Sequence, residues 1–131
     1  MTRTDTPVLV ACAIIEKHGR ILAAQRGSGQ SHAGNWEFPG GKVGKGETPE
    51  AAIIREIMEE LGAEITVKAR LEEVTFEYPD KIVTLIPFVC HAGRDEFFAK
   101  EHQEIRWVDK ESAKGLAWLP PDREIFEGYL K

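Results

Sequence analysis

Apolar runs separated by turn-forming residues divide the chain into a mixed order of strands and helices. Runs at residues 8–15 and 20–24 flank Lys17-His18-Gly19, a sequence that favours a tight hairpin turn. Later runs at residues 65–71, 74–78, 82–91 and 105–108 also predict strands, with Pro87 interrupting the third of them and a turn at residues 78–81. The sequence therefore predicts a strand-rich domain that opens with a hairpin.

Two segments have the periodicity of amphipathic helices. The first begins at Thr48, which can cap a helix, and at Pro49, which suits a first turn. Its apolar residues recur at helical spacing and Gly62 supplies the stop; they are Ile54, Ile57, Met58 and Leu61. The second covers residues 122–130, after a break at Pro120-Pro121. We therefore expect one α/β (α+β) domain over residues 1–131, with a mixed sheet between helices.

A glycine-rich segment, residues 27–46, separates the opening hairpin from the first helix. We predict a long ordered loop interrupted by one short strand. Gly40 and Gly41 allow the backbone to approach a ligand closely, and glycine-rich loops of this length are often binding sites. A simple turn is the alternative for a glycine pair that follows a proline.

The first predicted helix carries a cluster of acidic residues. Glu56, Glu59 and Glu60 lie at positions i, i+3 and i+4, which places the three carboxylates on one face, directed to solvent and not to the core. They repel one another, and a hard divalent cation such as Mg²⁺ takes oxygen ligands of this kind. A solvated acidic face, with Arg55 as the partner of Glu59, is the alternative.

Composition limits the classes of partner. The chain has 17 Lys+Arg against 22 Asp+Glu, a formal net charge of −5, so it lacks the basic patch that binds polynucleotides through their phosphates. No apolar run approaches the ~18 residues of a membrane span. Its two cysteines are too few for a disulfide framework, and its four histidines lack the spacing of a zinc site. We expect a cytoplasmic protein, without signal peptide or anchor, that binds a phosphate ligand through a cation.

The glycine loop and the acidic helix together resemble the signature of the Nudix hydrolase family. The matching positions are Gly41, then Glu47 after five residues, and after seven more the run REIMEELGA at residues 55–63. Ala63 stands where the family usually has a larger aliphatic residue, at a packing position. Residues 36–42, 78–80 and 101–104 extend the resemblance to the MutT-type branch and the CTP pyrophosphohydrolases. It implies a Nudix fold and hydrolysis of a nucleoside triphosphate to a monophosphate and pyrophosphate.

The resemblance also implies roles at the reacting phosphates. The ligands of Mg²⁺ or Mn²⁺ would be Glu56, Glu59, Glu60, the Gly40 carbonyl and the remote acid Glu101. Glu56 is also a candidate for activating water, and Arg55 either pairs with Glu47 or orients Glu56. An exposed loop charge is the alternative for Glu101, and Glu104 is close enough to be mistaken for it.

Four further residues are implied to contact the nucleotide: Arg26 near the α-phosphate or sugar, Phe38 against the base, Asp122 reading the base and His32 at the border of the base pocket. A helix cap is the alternative for Asp122. Trp107 and the 101–103 segment favour a CTP-type enzyme, whereas residues 38–41 and 78–80 favour an enzyme acting on oxidised guanine nucleotides. We place 8-oxo-dGTP first and CTP second, and a non-catalytic nucleotide-sensing module third. A monomer or small homo-oligomer is expected.

Overall fold

The computed structural model describes residues 6–93, 97–100 and 102–131, and in this part of the chain one eight-stranded mixed sheet forms the centre of the fold. Its strands are β1 (Val8–Lys17), β2 (Arg20–Gln25), β3 (Trp36–Glu37), β4 (Gly40–Lys42), β5 (Ile65–Arg70), β6 (Val74–Glu77), β7 (Ile82–Ala92) and β8 (Glu104–Val108). The helices are α1 (Pro49–Leu61), α2 (Lys110–Lys114) and α3 (Pro120–Tyr129). The predicted mixed sheet with flanking helices is confirmed.

Strand β1 is the hub of the sheet. It pairs parallel with β7 along most of its length and antiparallel with β2 and β4 at opposite ends. Its apolar side chains alternate between the two faces of the sheet because successive residues of a strand point in opposite directions. Ala13 and Ile15 therefore belong to the core under α1, and Cys12 and Ile14 to the core under α3.

The two cores differ in what covers them. Ile53, Ile57 and Leu61 of α1 close the first core, and each is fully buried. Ile125 and Phe126 of α3 close the second. Burial on both faces explains why the runs of β1 and β7 are continuously apolar, since a strand covered on both sides has no face that favours polar residues.

Some predicted details are wrong for local reasons. The loop at residues 27–46 contains a second short strand, β4, which pairs with β1. Pro87 does not interrupt β7, because it lies where the antiparallel partner of β7 changes from β6 to β5 and a ladder N–H is not required. Helix α3 begins at Pro120 and not after the prolines, since a first turn tolerates proline.

The apolar face predicted for α1 is also rotated. Ile54 and Met58 are 44% and 42% exposed, while Ala52 and Ile53 are buried beside the predicted Ile57 and Leu61. The periodicity was equally compatible with either stripe, because both lie at i, i+4 spacing. The rotation brings Glu60 to the buried side of the helix, where it is only 8% exposed.

Candidate nucleotide and metal site

A cleft of about 370 Å³ lies beside the glycine loop and brings together residues that are far apart in the sequence. Of the predicted site residues, Arg26, His32, Phe38, Gly40, Glu60 and Asp122 line it. Glu47, Arg55, Glu56 and Glu59 form a separate cluster around Arg55. Glu101 lies outside the described residues.

Helix α1 begins and ends as its sequence predicts, and its two ends fix where its acidic residues lie. The Thr48 hydroxyl accepts a hydrogen bond from the Ala51 N–H at 3.1 Å. At the other end Gly62 adopts a left-handed φ of 67° and donates its N–H to the Met58 carbonyl at 3.0 Å. Both caps satisfy backbone groups that a helix end leaves free.

Arg55 joins the carboxylates of the loop and the helix. Its Nε and Nη2 donate to the two oxygens of Glu47 at 2.7 and 2.9 Å. Its Nη1 donates to Glu56 at 2.9 Å and to Glu59 at 3.1 Å. The two predicted roles of Arg55, pairing with Glu47 and orienting Glu56, are therefore not alternatives, because one guanidinium makes both contacts.

The contact with Arg55 also fixes the charge of Glu47. The hydrogen bonds from Arg55, together with one from the Gly44 N–H at 2.8 Å, lower the pKa of the Glu47 carboxyl to about 2. The hydrogen bonds to Glu47 and Glu56 raise the pKa of Arg55 above its already high ordinary value. Loop and helix are thus held together by groups that stay charged at neutral pH.

Gly40 and Gly41 connect this cluster to the cleft. A Cβ on Gly40 would lie 2.0 Å from the Ala11 carbonyl oxygen, so only glycine allows β4 to approach β1 this closely. A Cβ on Gly41 would lie 2.2 Å from Cδ of Glu56. The absence of a side chain at Gly41 therefore leaves the space that the Glu56 carboxylate occupies next to the wall of the cleft.

The three acids of α1 are not equivalent, which corrects the expectation of one solvent-facing set. The Glu59 side chain is 58% exposed and that of Glu56 15%, whereas Glu60 is buried at 8% exposure and lines the cleft. In the described ranges no three His, Cys, Asp or Glu side chains are grouped to hold a metal ion. The oxygen-only donors at Gly40, Glu56 and Glu60 nevertheless suit a hard divalent cation.

Asp122 lies at the floor of the cleft and does not cap a helix. Helix α3 has Leu119 at its N-cap with no side-chain cap bond, and Asp122 instead accepts the Phe38 N–H at 2.9 Å. Asp122 is 3% exposed. Burial and the nearby negative charge of Glu37 raise the pKa of its carboxyl to about 8, against the opposing effects of the Phe38 N–H and of Arg26. The capping alternative is wrong, and the acid is mainly protonated at neutral pH.

Phe38 and His32 differ in how much surface they offer. The Phe38 side chain stacks on Trp118 with ring centroids 4.6 Å apart, and only 3% of the residue is exposed. His32 is exposed, has a left-handed φ of 57°, and its ring lies 5.9 Å from that of Tyr78. Phe38 is thus a core residue at the cleft wall, and its contact with a base stays a prediction.

The cleft also contains a hydrogen-bonded pair that was not identified from the sequence, Glu37 and His102. Glu37 binds Nη1 of Arg26 through both oxygens, at 3.1 and 3.2 Å, and bonds to Nε2 of His102 at 2.8 Å. His102 lies in the bend before β8, and its side chain is only 4% exposed. In the sequence, only their positions indicated these two residues: Glu37 precedes Phe38 in the motif that carries the resemblance, and His102 follows Glu101.

Comparisons with known proteins agree with this geometry. The sequence model of the NUDIX domain family matches residues 5–129 of this chain. An "8-oxo-dGTP diphosphatase" of Haemophilus influenzae is 38% identical over 125 residues, covering 94% of this chain and 91% of the relative. A "CTP pyrophosphohydrolase" of Escherichia coli is 36% identical over 121 residues, covering 92% and 90%. The crystal structure of a MutT protein from Methanosarcina mazei Go1 superposes with a TM-score of 0.83 at 29% identity, covering 95% and 94%.

Proposed function

The chain belongs to the Nudix family, and we propose on that basis that it is a metal-dependent pyrophosphohydrolase that converts oxidised deoxynucleoside triphosphates, 8-oxo-dGTP first, to a monophosphate and pyrophosphate. It is a hydrolase acting on phosphoric anhydrides. The observation that carries the proposal is the junction at Gly41, where the carboxylate cluster meets the cleft. A nucleotide in the cleft would have its phosphates beside that cluster.

Dependence on a divalent metal is general to the family, and we propose Mg²⁺ or Mn²⁺ for this chain. Glu56, Glu60 and the Gly40 carbonyl would hold it, with Glu59 and Glu101 as further candidate ligands. When bound, such an ion offsets the negative charge of the triphosphate and polarises the attacked phosphorus. The oxygen donors of this region suit that role.

The residues of the chain supply the proton transfer. Glu56 takes the proton of the attacking water, whose oxygen forms a bond to the β-phosphorus. The bond from that phosphorus to the oxygen bridging it to the α-phosphorus breaks, and this oxygen leaves on the nucleoside monophosphate. Arg55 holds Glu56 in place through Nη1. Reaction in ¹⁸O-labelled water should therefore label pyrophosphate, whereas label in the monophosphate would show attack at the α-phosphorus.

A CTP-type activity is the second candidate. It is supported by the Escherichia coli relative and by the 101–103 segment. A carboxylate in the base pocket can accept from the exocyclic amine of cytosine, and a protonated acid can also donate a hydrogen bond. Because burial raises the pKa of Asp122 to about 8, the protonated form dominates at neutral pH, which favours bases that offer an acceptor.

The deciding experiment is a pyrophosphate-release screen of the purified protein over 8-oxo-dGTP, dGTP, CTP and dCTP with Mg²⁺. We expect the highest kcat/KM for 8-oxo-dGTP, no turnover in excess EDTA and recovery on adding Mg²⁺ or Mn²⁺. Preference for CTP would select the second candidate, and full activity in EDTA would rule out the metal-dependent reaction.

Location and assembly belong to the same proposal. Both cysteines, Cys12 and Cys90, are free and buried, which supports a reducing compartment such as the cytoplasm. In the described residues no helix is long and apolar enough to cross a bilayer. We propose a monomer or small homo-oligomer that does not bind polynucleotides, which light scattering and a DNA-binding assay would test.

A further inference from the structure

We propose that Glu37 is a positioning residue of the cleft: its carboxylate fixes the guanidinium of Arg26 so that Arg26 can bind the anionic part of a nucleotide. The inference rests on the proposed function for the identity of the ligand. It assigns to Glu37 a role in substrate affinity, exerted through Arg26 and not by direct contact with the reacting phosphates.

The contacts of Arg26 define which donors stay available. Nε donates to the Ser31 carbonyl at 2.6 Å, and Nη1 donates to both oxygens of Glu37. Among the described residues, Nη2 makes one long contact, of 3.4 Å, with the Ser31 hydroxyl. A guanidinium has five N–H groups in a rigid planar fork. With Nε and Nη1 held by Ser31 and Glu37, Nη2 has an N–H for a ligand of the cleft that Arg26 lines.

Glu37 lies on a paired strand of the sheet. Strand β3 pairs with β2 at Ala24 and Gln25, and the neighbouring Trp36 exchanges backbone hydrogen bonds with the segment that leads into α3. Arg26 follows β2 at the start of the loop that returns to β3, where its N–H donates to the Asn35 carbonyl at 2.9 Å and its carbonyl accepts the Gly34 N–H at 3.0 Å. Because a long side chain has many rotamers, the bonds to Glu37 restrict the Arg26 guanidinium further than the Ser31 carbonyl alone would.

His102 holds the other side of the Glu37 carboxylate. Its Nε2 lies 2.8 Å from Oε2 of Glu37, and the Gln103 N–H donates to the Gln25 carbonyl at 2.9 Å, which keeps the segment next to β2. Nδ1 of His102 is buried and has no hydrogen-bond partner within the described ranges. The bond to Glu37 is therefore the one that orients the ring, and the ring in turn prevents the carboxylate from turning away from Arg26.

Because Glu37 is negatively charged, the direction in which its replacement changes nucleotide affinity tests the inference. A carboxylate beside Arg26 reduces the positive charge that the arginine presents to phosphate, so electrostatics alone predict that Glu37→Gln strengthens nucleotide binding. Positioning predicts the opposite, because the guanidinium loses the orientation that suits the ligand. The direction of the change in affinity thus separates the two effects.

The test is a double-mutant cycle on Glu37→Gln and Arg26→Ala. Binding of 8-oxo-dGMP, dGMP and CMP is measured by calorimetry, and kcat and KM for the best triphosphate are measured in parallel. We expect Glu37→Gln to weaken binding and raise KM on the order of tenfold with little change in kcat, as for loss of a hydrogen bond to a charged group. In the Arg26→Ala background it should have almost no further effect.

Glu111→Gln is the matched control, because Glu111 pairs with Lys114 at 2.9 Å on helix α2 outside the cleft. It should leave affinity and KM unchanged. Thermal unfolding of every variant checks the fold. If Glu37→Gln unfolds, Glu37→Asp, which keeps the charge, replaces it in the cycle. Glu37→Asp should retain more affinity for the nucleotide than Glu37→Ala.

The inference is overturned if Glu37→Gln binds nucleotides as tightly as the wild type or more tightly, or if its effect is equally large in the Arg26→Ala background. It is also overturned if the wild type binds none of the three monophosphates. The proposed function fails separately, if the wild type binds nucleotides in an Arg26-dependent way but hydrolyses no triphosphate.

Discussion

Two acids on either side of the glycine loop have opposite protonation behaviour. Glu47 is a partly exposed carboxylate held by Arg55, and its pKa is lowered to about 2. Asp122 is a buried carboxyl whose pKa is raised to about 8 by desolvation. The side chains carry the same functional group, so the difference comes entirely from surroundings.

The two acids thus mark two regions of the site with different chemistry. Arg55 keeps Glu47 charged and also contacts Glu56 and Glu59, the acids proposed for proton abstraction and metal binding. The floor of the cleft keeps an acid protonated, so that its O–H can donate a hydrogen bond to an acceptor of the base. Exposure to water and a guanidinium produce the first state; burial beside Glu37 produces the second.

Glu56→Gln should give the largest effect, because it removes the proposed base from the charged region without changing its shape. We expect kcat to fall by about 10²–10⁴-fold, with the melting temperature nearly unchanged since the side chain is directed to Arg55 and the cleft wall. Steady-state kinetics and circular dichroism measure both. Glu50→Gln, in the exposed first turn of the same helix, is the control; a Glu56→Gln enzyme of wild-type kcat would disprove the role.

Asp122→Ala should alter the neutral region and leave the charged one intact. Losing one buried hydrogen-bonding group costs on the order of 1–3 kcal/mol, so kcat/KM for the preferred nucleotide should fall ~10- to 100-fold and poor substrates much less. The ratio of rates for 8-oxo-dGTP, dGTP and CTP is the readout. Asp109→Ala removes an Asp that accepts the Ser112 N–H at α2 and should affect stability alone. If the ratio is unchanged, Asp122 does not read the base, and its role is the hydrogen bond that it accepts from the Phe38 N–H.

The pH dependence of stability provides a third test. Between about pH 4 and pH 8 the unfolded chain loses the Asp122 proton while the folded chain keeps it, so the unfolded state binds fewer protons and stability should fall as pH rises through this window. Asp122→Asn imitates the protonated acid and should flatten that slope. Melting temperatures of both proteins across the window measure it; parallel curves would mean that Asp122 is ionised in the fold.

Glu47→Gln should give the smallest effect and the opposite sign. With a folded pKa of about 2, Glu47 stabilises the fold above the ordinary glutamate pKa, and this contribution is lost as pH falls towards 2. The variant should therefore lose less stability on acidification than the wild type. Because the pair is near solvent, the difference should shrink at high salt; a difference that is independent of salt would contradict the ion-pair explanation.

The sequence predicts the parts of the fold that depend on local signals. Thr48, Pro49 and Gly62 fix α1 because capping and proline geometry act within a few residues. The exposure of Ile54 and Met58 could not be predicted, since it depends on which stripe of the helix meets the sheet. Strand β4 was also missed, because a three-residue strand of two glycines and a lysine forms only through its pairing with β1.

In the candidate site, too, the features that depend on local sequence could be predicted and those that depend on distant segments could not. The signature acids are contiguous in sequence, so their grouping on α1 could be predicted. The network of Glu37 with Arg26 and His102 joins residues from three separate segments, and no spacing rule connects them. The raised pKa of Asp122 depends on burial by distant elements, which is why a cap and a base-reading role were both compatible with its sequence position.

The parallel pairing of β1 with β7 has a consequence for how the chain reaches its fold. The first long strand finds its main partner only in the second half of the chain, and such non-local pairings slow folding. Until β7 is made, the apolar residues of β1 have an open edge that can pair with another chain. We therefore expect the yield of refolding to fall with protein concentration, and chains truncated before Ile82 to aggregate.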